Sequence, residues 1–210
     1  MLKLKALLLA AIVLIVPACG GNVNVPPPLL SDSLSSPFPD SNWSPAATTG
    51  SGTTTQTTGG VLAFTTTTAG SSSKTTTTAS FNNPSLTMTV QMAASPTSRP
   101  GVGTIEILNG SSAVVAFVSW DVGAGTIDYS IAGSSLTPPV SPPPSDGTLT
   151  AFRFSVDSSG TASWVHDNVG VAMNASFPAG PLSLRLGGTW ATGGSPFAEF
   201  DFANVTVTSP

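Results

Sequence analysis

Between Leu86 and Met92 every second residue is apolar: Leu86, Met88, Val90 and Met92 alternate with Thr87, Thr89 and Gln91. A strand sends successive side chains to opposite faces, so a period of two describes a half-buried β-strand and not a helix. Short apolar or alternating runs recur at Val61–Phe64, Thr104–Leu108, Val114–Trp120, Thr126–Ile131, Phe152–Val156, Ala162–His166, Val171–Phe177, Leu182–Leu186 and Phe197–Val207. Asn109-Gly110-Ser111-Ser112, between two such runs, predicts a hairpin, and Asp157-Ser158-Ser159-Gly160 predicts a second turn. About ten strands, with turns every roughly 8–15 residues, predict an all-β, two-sheet antiparallel sandwich rather than an α/β fold.

Charge narrows the function. Only 8% of the 210 residues are charged, and six Lys+Arg stand against ten Asp+Glu, for a net charge of -4. Binding DNA or RNA needs a basic stripe to neutralise phosphates, and none exists. Full disorder is excluded by a hydrophobic fraction of 40% and a mean hydropathy of +0.27.

Two stretches read as loops. Ser44–Ser80 is dominated by Thr, Ser and Gly, and reads mainly as solvated surface. Because Thr suits strands, parts of it can form edge strands with polar outer faces. It holds no His, Cys, Asp or Glu that would activate a hydroxyl. Ser134–Gly147 contains Pro138-Pro139 and Pro142-Pro143-Pro144, so it reads as a long excursion and not as a central strand.

The N-terminus reads as an address. Lys3 and Lys5 precede an uninterrupted apolar run, Ala6–Val16. Such a run makes a helix of about 16 Å, too short for a bilayer core of about 30 Å, and a basic start followed by it describes a signal peptide. Val16-Pro17-Ala18-Cys19 then resembles a bacterial lipoprotein signal: a branched residue at −3, a small one at −1, then Cys. Pro17 departs from the usual pattern at −2. Cys19 is the chain's single cysteine, so it has no internal disulfide partner. The expectation is a signal peptide over 1–18, a lipid-anchored Gly/Asn/Pro tether over 19–28, and a folded domain over 29–210. Without residues 1–18, four basic residues face ten acidic ones, a net charge of −6. Gly20 follows the cysteine, where Asp would resemble an inner-membrane retention signal. In a Gram-negative host the expected place is the outer membrane, facing periplasm or cell surface.

The order of features in the C-terminal half resembles the concanavalin A-like lectin/glucanase superfamily. The residues that carry the likeness are Asp146-Gly147-Thr148, Phe152-Arg153-Phe154-Ser155-Val156-Asp157, Gly160 and Trp164-Val165-His166-Asp167-Asn168. Pro181–Gly187 and Ala198–Val207 are similar to its last strands, and Leu30–Leu34, Asn42-Trp43-Ser44 and Gly60–Phe64 to its opening ones. The resemblance implies a two-sheet jelly roll whose relatives often bind glycans.

It also implies where a site would lie. Catalytic members use Glu-x-Asp-x-x-Glu on one strand. Here Glu199-Phe200-Asp201-Phe202-Ala203-Asn204 comes nearest, but Asn204 cannot move the catalytic proton, and non-catalytic relatives carry a structural Asp on this last strand. Glu106 is a lone carboxylate between Ile105 and Ile107. His166 and Asp167 adjoin, yet no Gly-x-Ser-x-Gly elbow accompanies them, and His166 reads as an exposed turn residue. No catalytic residues are assigned. Relatives often hold a structural Ca²⁺ between the terminal strands, which points to Asp32 and Asp201; no other cofactor is expected. Jelly-roll lectins stack sugars on exposed aromatic rings. Trp43 and Trp164 read as core, and Trp120 and Trp190 as the sugar-stacking residues. The leading expectation is a non-catalytic module for neutral glycans, tethered to a membrane. The alternatives are a polysaccharide hydrolase with an unrecognised carboxylate pair and a structural or adhesive surface lipoprotein.

Overall fold

The computed structural model describes residues 26–57, 59–81, 85–96, 99–136, 146–166, 169–177, 180–191 and 195–209. The expected export signal, Cys19, the Pro-rich run 137–145 and the expected turn at Asp167-Asn168 lie outside them.

The described residues contain no helix and fifteen strands. In chain order these are β1 (Leu30–Asp32), β2 (Ala47–Thr49), β3 (Thr53–Thr57), β4 (Val61–Thr65), β5 (Ser71–Thr76), β6 (Leu86–Ser95), β7 (Val102–Asn109), β8 (Val114–Asp121), β9 (Thr126–Ile131), β10 (Ser134–Leu136), β11 (Thr150–Val156), β12 (Thr161–His166), β13 (Val169–Ser176), β14 (Leu182–Trp190) and β15 (Glu199–Thr208). One sheet runs β13-β12-β11-β6-β15-β4-β3, with β1 paired to the far end of β15. The other runs β10-β9-β8-β7-β14-β5-β2. This is the expected two-sheet antiparallel jelly-roll sandwich.

The strands exceed the ten read from sequence because hydroxyls stand where the alternation rule looks for hydrocarbon. β5 turns Ser71, Ser73 and Thr75 into the interior, all buried. Each finds a partner: Ser71 Oγ lies 3.0 Å from Thr68 Oγ1, Ser73 Oγ pairs with Thr54 Oγ1, and Thr75 Oγ1 donates to the Ser44 carbonyl at 2.6 Å. Buried hydroxyls cost little once so paired. The Thr-rich stretch is therefore mostly strand, with β2 and β3 as the edges of the two sheets.

The rest of the interior is hydrocarbon and aromatic. Met88, Val90, Phe154, Trp164, Phe200 and Phe202 from one sheet meet Ile105, Ile107, Val118, Tyr129, Leu184 and Leu186 from the other. Trp120 and Trp190 belong here too, each 0% exposed, which corrects their reading as stacking platforms. The cause is local. Gly103 and Gly188 pair across β7 and β14 on the inner face, and a Cβ at Gly103 would lie 2.4 Å from the Phe200 ring. A Cβ at Gly188 would lie 2.7 Å from the Trp190 ring. The glycines are mid-strand vacancies that the rings fill, not a loop. Trp190 Nε1 donates to the Ala198 carbonyl at 2.9 Å. Trp120 pairs in register with Gly103 on its other side.

Candidate functional site

Period two also decides what the seven-stranded sheet shows outward. With Ile105 and Ile107 inward, β7 presents Thr104 and Glu106 on its outer face. The register places Glu106 between Phe117 of β8 and Arg185 of β14, with Ser130 of β9 beyond Phe117 and Thr76 of β5 beyond Arg185. The neighbouring row reads Asp128, Ser119, Thr104, Gly187 and Lys74.

At the centre Glu106, 8% exposed, holds two cations. Lys74 Nζ donates to Oε1 at 2.8 Å, and Arg185 Nε donates to Oε2. Gly187 makes the first contact possible: a Cβ there would meet Lys74 Cγ at 2.6 Å, so the lysine stem crosses the bare glycine to reach Glu106. A carboxylate this covered needs such partners, since an unpaired buried charge is strongly destabilising. The two cations keep part of their side chains, 26% each, open to solvent.

Beside this cluster lies Phe117. The chain has ten Phe, four Trp and one Tyr. All but two of these are buried; Phe38 packs on the core, and Phe117 is half-buried on the outer sheet face. Sequence reasoning missed it by attending to tryptophan. The signal was its phase, opposite to Ala116, Val118 and Trp120 on the same strand.

Laying the spacing Glu-x-Asp-x-x-Glu on β7 gives Thr104, Glu106 and Asn109. One carboxylate remains, and it is engaged by two cations. Asn109 Oδ1 accepts from the Ser111 and Ala113 amides at 3.0 and 2.9 Å, which places it in the hairpin turn.

Glu199 and Asp201 face outward from the other sheet, on β15. Asp201 lies between Ala63 of β4 and Ala93 of β6, both buried, with Ser95 opposite Glu199. Burial pushes the Asp201 carboxyl up to about 6, helped by the charge of Glu199 and a hydrogen bond with it. A retaining glycosidase holds its carboxyls about 5 Å apart, astride the scissile bond. These two stand two residues apart on one strand face, with Asp201 flanked by Ala63 and Ala93, and no aromatic ring shares their face.

Asp32 and Asp201 do not come together as a calcium site. Asp32 sits opposite Val205, four residues from Asp201, so about 13 Å along β15 separates them. They also face opposite sides of the sheet: Asp32 shares the inner side with Leu30, whereas Asp201 alternates with the buried Phe200 and Phe202. The Asp32 oxygens accept from the Leu34 amide at 2.7 Å, Trp43 Nε1 at 2.8 Å and Asn42 Nδ2 at 3.1 Å. Among the described residues, no three His, Cys, Asp or Glu are grouped as metal ligands. His166 is not an exposed turn residue: it is buried at the end of β12, stacked on Phe152 with centroids 4.7 Å apart. Trp43 and Trp164 are core, as expected.

No family model and no curated protein matches the chain. Solved structures do. Crh5 transglycosylase in complex with NAG matches over 88% of this chain and 88% of its own, at TM-score 0.64 and 17% identity. The fold is that of concanavalin A-like lectins and glycoside hydrolases. The Emp47p carbohydrate recognition domain matches over 86% of this chain and 94% of its own, at TM-score 0.61 and 12% identity. A sialidase matches over 80% of this chain at TM-score 0.61 and 12% identity, and the chain spans 17% of its length. At these identities the likeness is one of fold.

Proposed function

We propose that this chain is a non-catalytic carbohydrate-binding jelly roll, held at a bacterial envelope by a lipid on Cys19. The outer face of the seven-stranded sheet carries the reading. There a half-buried ring, Phe117, stands next to the Lys74–Glu106–Arg185 cluster and a surround of hydroxyls from Ser119, Ser130, Thr104 and Thr76. A sugar offers an apolar ring face for Phe117 and hydroxyls for the spare donors of Lys74 and Arg185. Neighbours that include a carbohydrate recognition domain and an NAG-bound transglycosylase support this class of ligand. The engagement of Glu106 by two cations supports binding without hydrolysis. The favoured ligands are neutral glycans: Glu106, Asp121 and Asp128 outnumber Lys74 and Arg185 on this face, and anionic sugars gain nothing from it.

A glycan array on the purified chain, with a polysaccharide hydrolysis screen beside it, tests the proposal. Neutral glycans should give signal and the screen should give none. A silent array overturns the binding reading and leaves a structural or adhesive surface role; released sugar overturns the non-catalytic one. The anchor is tested separately: Cys19→Ala should move the protein from membrane to soluble fractions, and unchanged partitioning overturns it.

A further inference from the structure

The two ends of the sandwich differ in charge. β1 and the start of β14 share one end: Trp43 Nε1 donates to Asp32 on β1, and Trp43 bridges Thr77, whose amide donates to the Leu184 carbonyl. Around that end lie the turns 109–113, 132–133 and 157–160. Among residues 109–114, 131–134 and 156–161, Asp157 alone is charged. The opposite end carries Arg99, Asp121, Asp146 and Glu199 on or beside its turns. The low-charge end also shows hydrocarbon. Leu29 is 46% and Val114 42% exposed there, whereas Leu149, 37% exposed, sits at the other end.

The chain enters at the low-charge end, where the Leu29 amide donates to the Val207 carbonyl at 2.7 Å. Residues 19–28 ahead of it reach at most about 35 Å fully extended. The ten residues of β15 alone stand about 33 Å tall. A lipid on Cys19 therefore draws the low-charge end to the membrane, and turning the far end down would consume the whole tether. We propose that this end of the sandwich seats on the bilayer that holds the anchor, with Leu29 and Val114 entering the headgroup boundary. The proposal rests on the lipid-anchor reading. A bilayer suits the surface: it takes up the exposed hydrocarbon, and an end with a single carboxylate avoids the repulsion that an acidic chain meets from anionic headgroups. Seated so, the strands stand upright on the membrane. Phe117, three residues along β8 from Val114, then lies about 10 Å above it.

The lipidated full chain in vesicles of phosphatidylethanolamine and phosphatidylglycerol tests this. Cys19 is the single cysteine and is blocked by its lipid on the anchor reading, so an introduced cysteine alone takes a fluorophore. Ser111→Cys reports the seated end and Ala124→Cys the far end; both positions are exposed. Spin-labelled lipids should quench most of the emission at Ser111→Cys and little at Ala124→Cys. Leu29→Asp with Val114→Asp should keep the protein on the vesicles, with the wild-type melting temperature, and abolish the difference between the labels. If Ser111→Cys fails to fold, Ser158→Cys on the neighbouring turn replaces it. Protein that does not float with vesicles overturns the anchor, and the seating with it. Protein that floats with both labels quenched alike, or with a difference that survives the two Asp substitutions, overturns the seating alone. A Ser111→Cys label already shielded in Cys19→Ala protein without vesicles assigns this end to a second copy and also overturns the seating.

Discussion

The two outer faces of this sandwich each carry a half-hidden carboxylate at mid-strand, and they treat it in opposite ways. Glu106 is compensated by Lys74 and Arg185 from the strands on one side. Among the described residues Asp201 has no cation: its in-register neighbours on β4 and β6 are Ala63 and Ala93, and its companion is a second acid, Glu199. Where cations are supplied, the protein fixes a charged, donor-rich surface. Where they are withheld, burial and the neighbouring acid raise the carboxyl to about 6. On the proposed reading, the difference separates the face that meets a polar ligand from the face that does not.

Breaking the compensated side should have the larger effect. Glu106→Ala leaves two cations about a vacated oxygen pair and should destabilise by about 2–4 kcal/mol in denaturant titration, below the roughly 3–5 kcal/mol for breaking a fully buried pair because both cations keep solvent contact. Replacing Glu106, Lys74 and Arg185 together by Leu, Met and Met should cost clearly less, since no uncompensated charge remains. If the triple variant is the worse of the two, the cluster is not acting as an ion pair.

On the other face the effect is smaller and depends on pH. Burial and the neighbouring Glu199 push the folded Asp201 carboxyl up to about 6, from an ordinary 3.8. Between those values the native state binds more protons than the unfolded one, so stability falls as pH rises and levels off above about 6. The full shift overstates the loss, because much of the group remains in solvent; about 1–2 kcal/mol is expected after that discount. Asp201→Asn should flatten the slope and stabilise the protein at neutral pH. Urea midpoints at pH 4, 5, 6 and 7 would reveal it, and a wild-type slope that survives the substitution assigns the titration elsewhere.

The contrast was only half legible in the sequence. Alternation placed Glu106 and Asp201 on strands, because period two is a local property. The partners were not legible: Lys74 and Arg185 stand 32 and 79 residues from Glu106, and strand order alone brings them together. Trp190 was misplaced for a similar reason. Gly187-Gly188 before it reads as a loop until Phe200, from the opposite sheet, is seen to occupy the space beneath. The hydroxyl-filled strands around Ser73 escaped detection because hydrophobic periodicity cannot register an interior made of Ser and Thr. Phe117 needed no tertiary information, only attention to its phase against Trp120.

The smallest expected change in stability carries the sharpest functional consequence. Phe117 contributes nothing to the core cluster, so Phe117→Ala removes only partly buried ring surface and should cost no more than about 1 kcal/mol. If sugars stack on this face, the same substitution should weaken neutral-glycan binding about tenfold or more, equivalent to roughly 1.4 kcal/mol of lost contact. Phe117→Trp should keep or improve it, since a larger ring offers a larger platform. Affinity should change little between low and high salt, because screening weakens charge attraction and leaves ring contact intact. Trp190→Ala is the control that ties ligand to surface: it empties a core position and should cost about 3–5 kcal/mol. Any binding it loses should follow the fraction unfolded. Titration calorimetry with the strongest array ligand decides between the faces. Loss at Phe117 with a native melting curve assigns binding to the seven-stranded sheet. Loss at Arg153 or Gln91, exposed and half-buried on the other sheet, with Phe117→Ala unaffected, would move it to the face that carries Asp201.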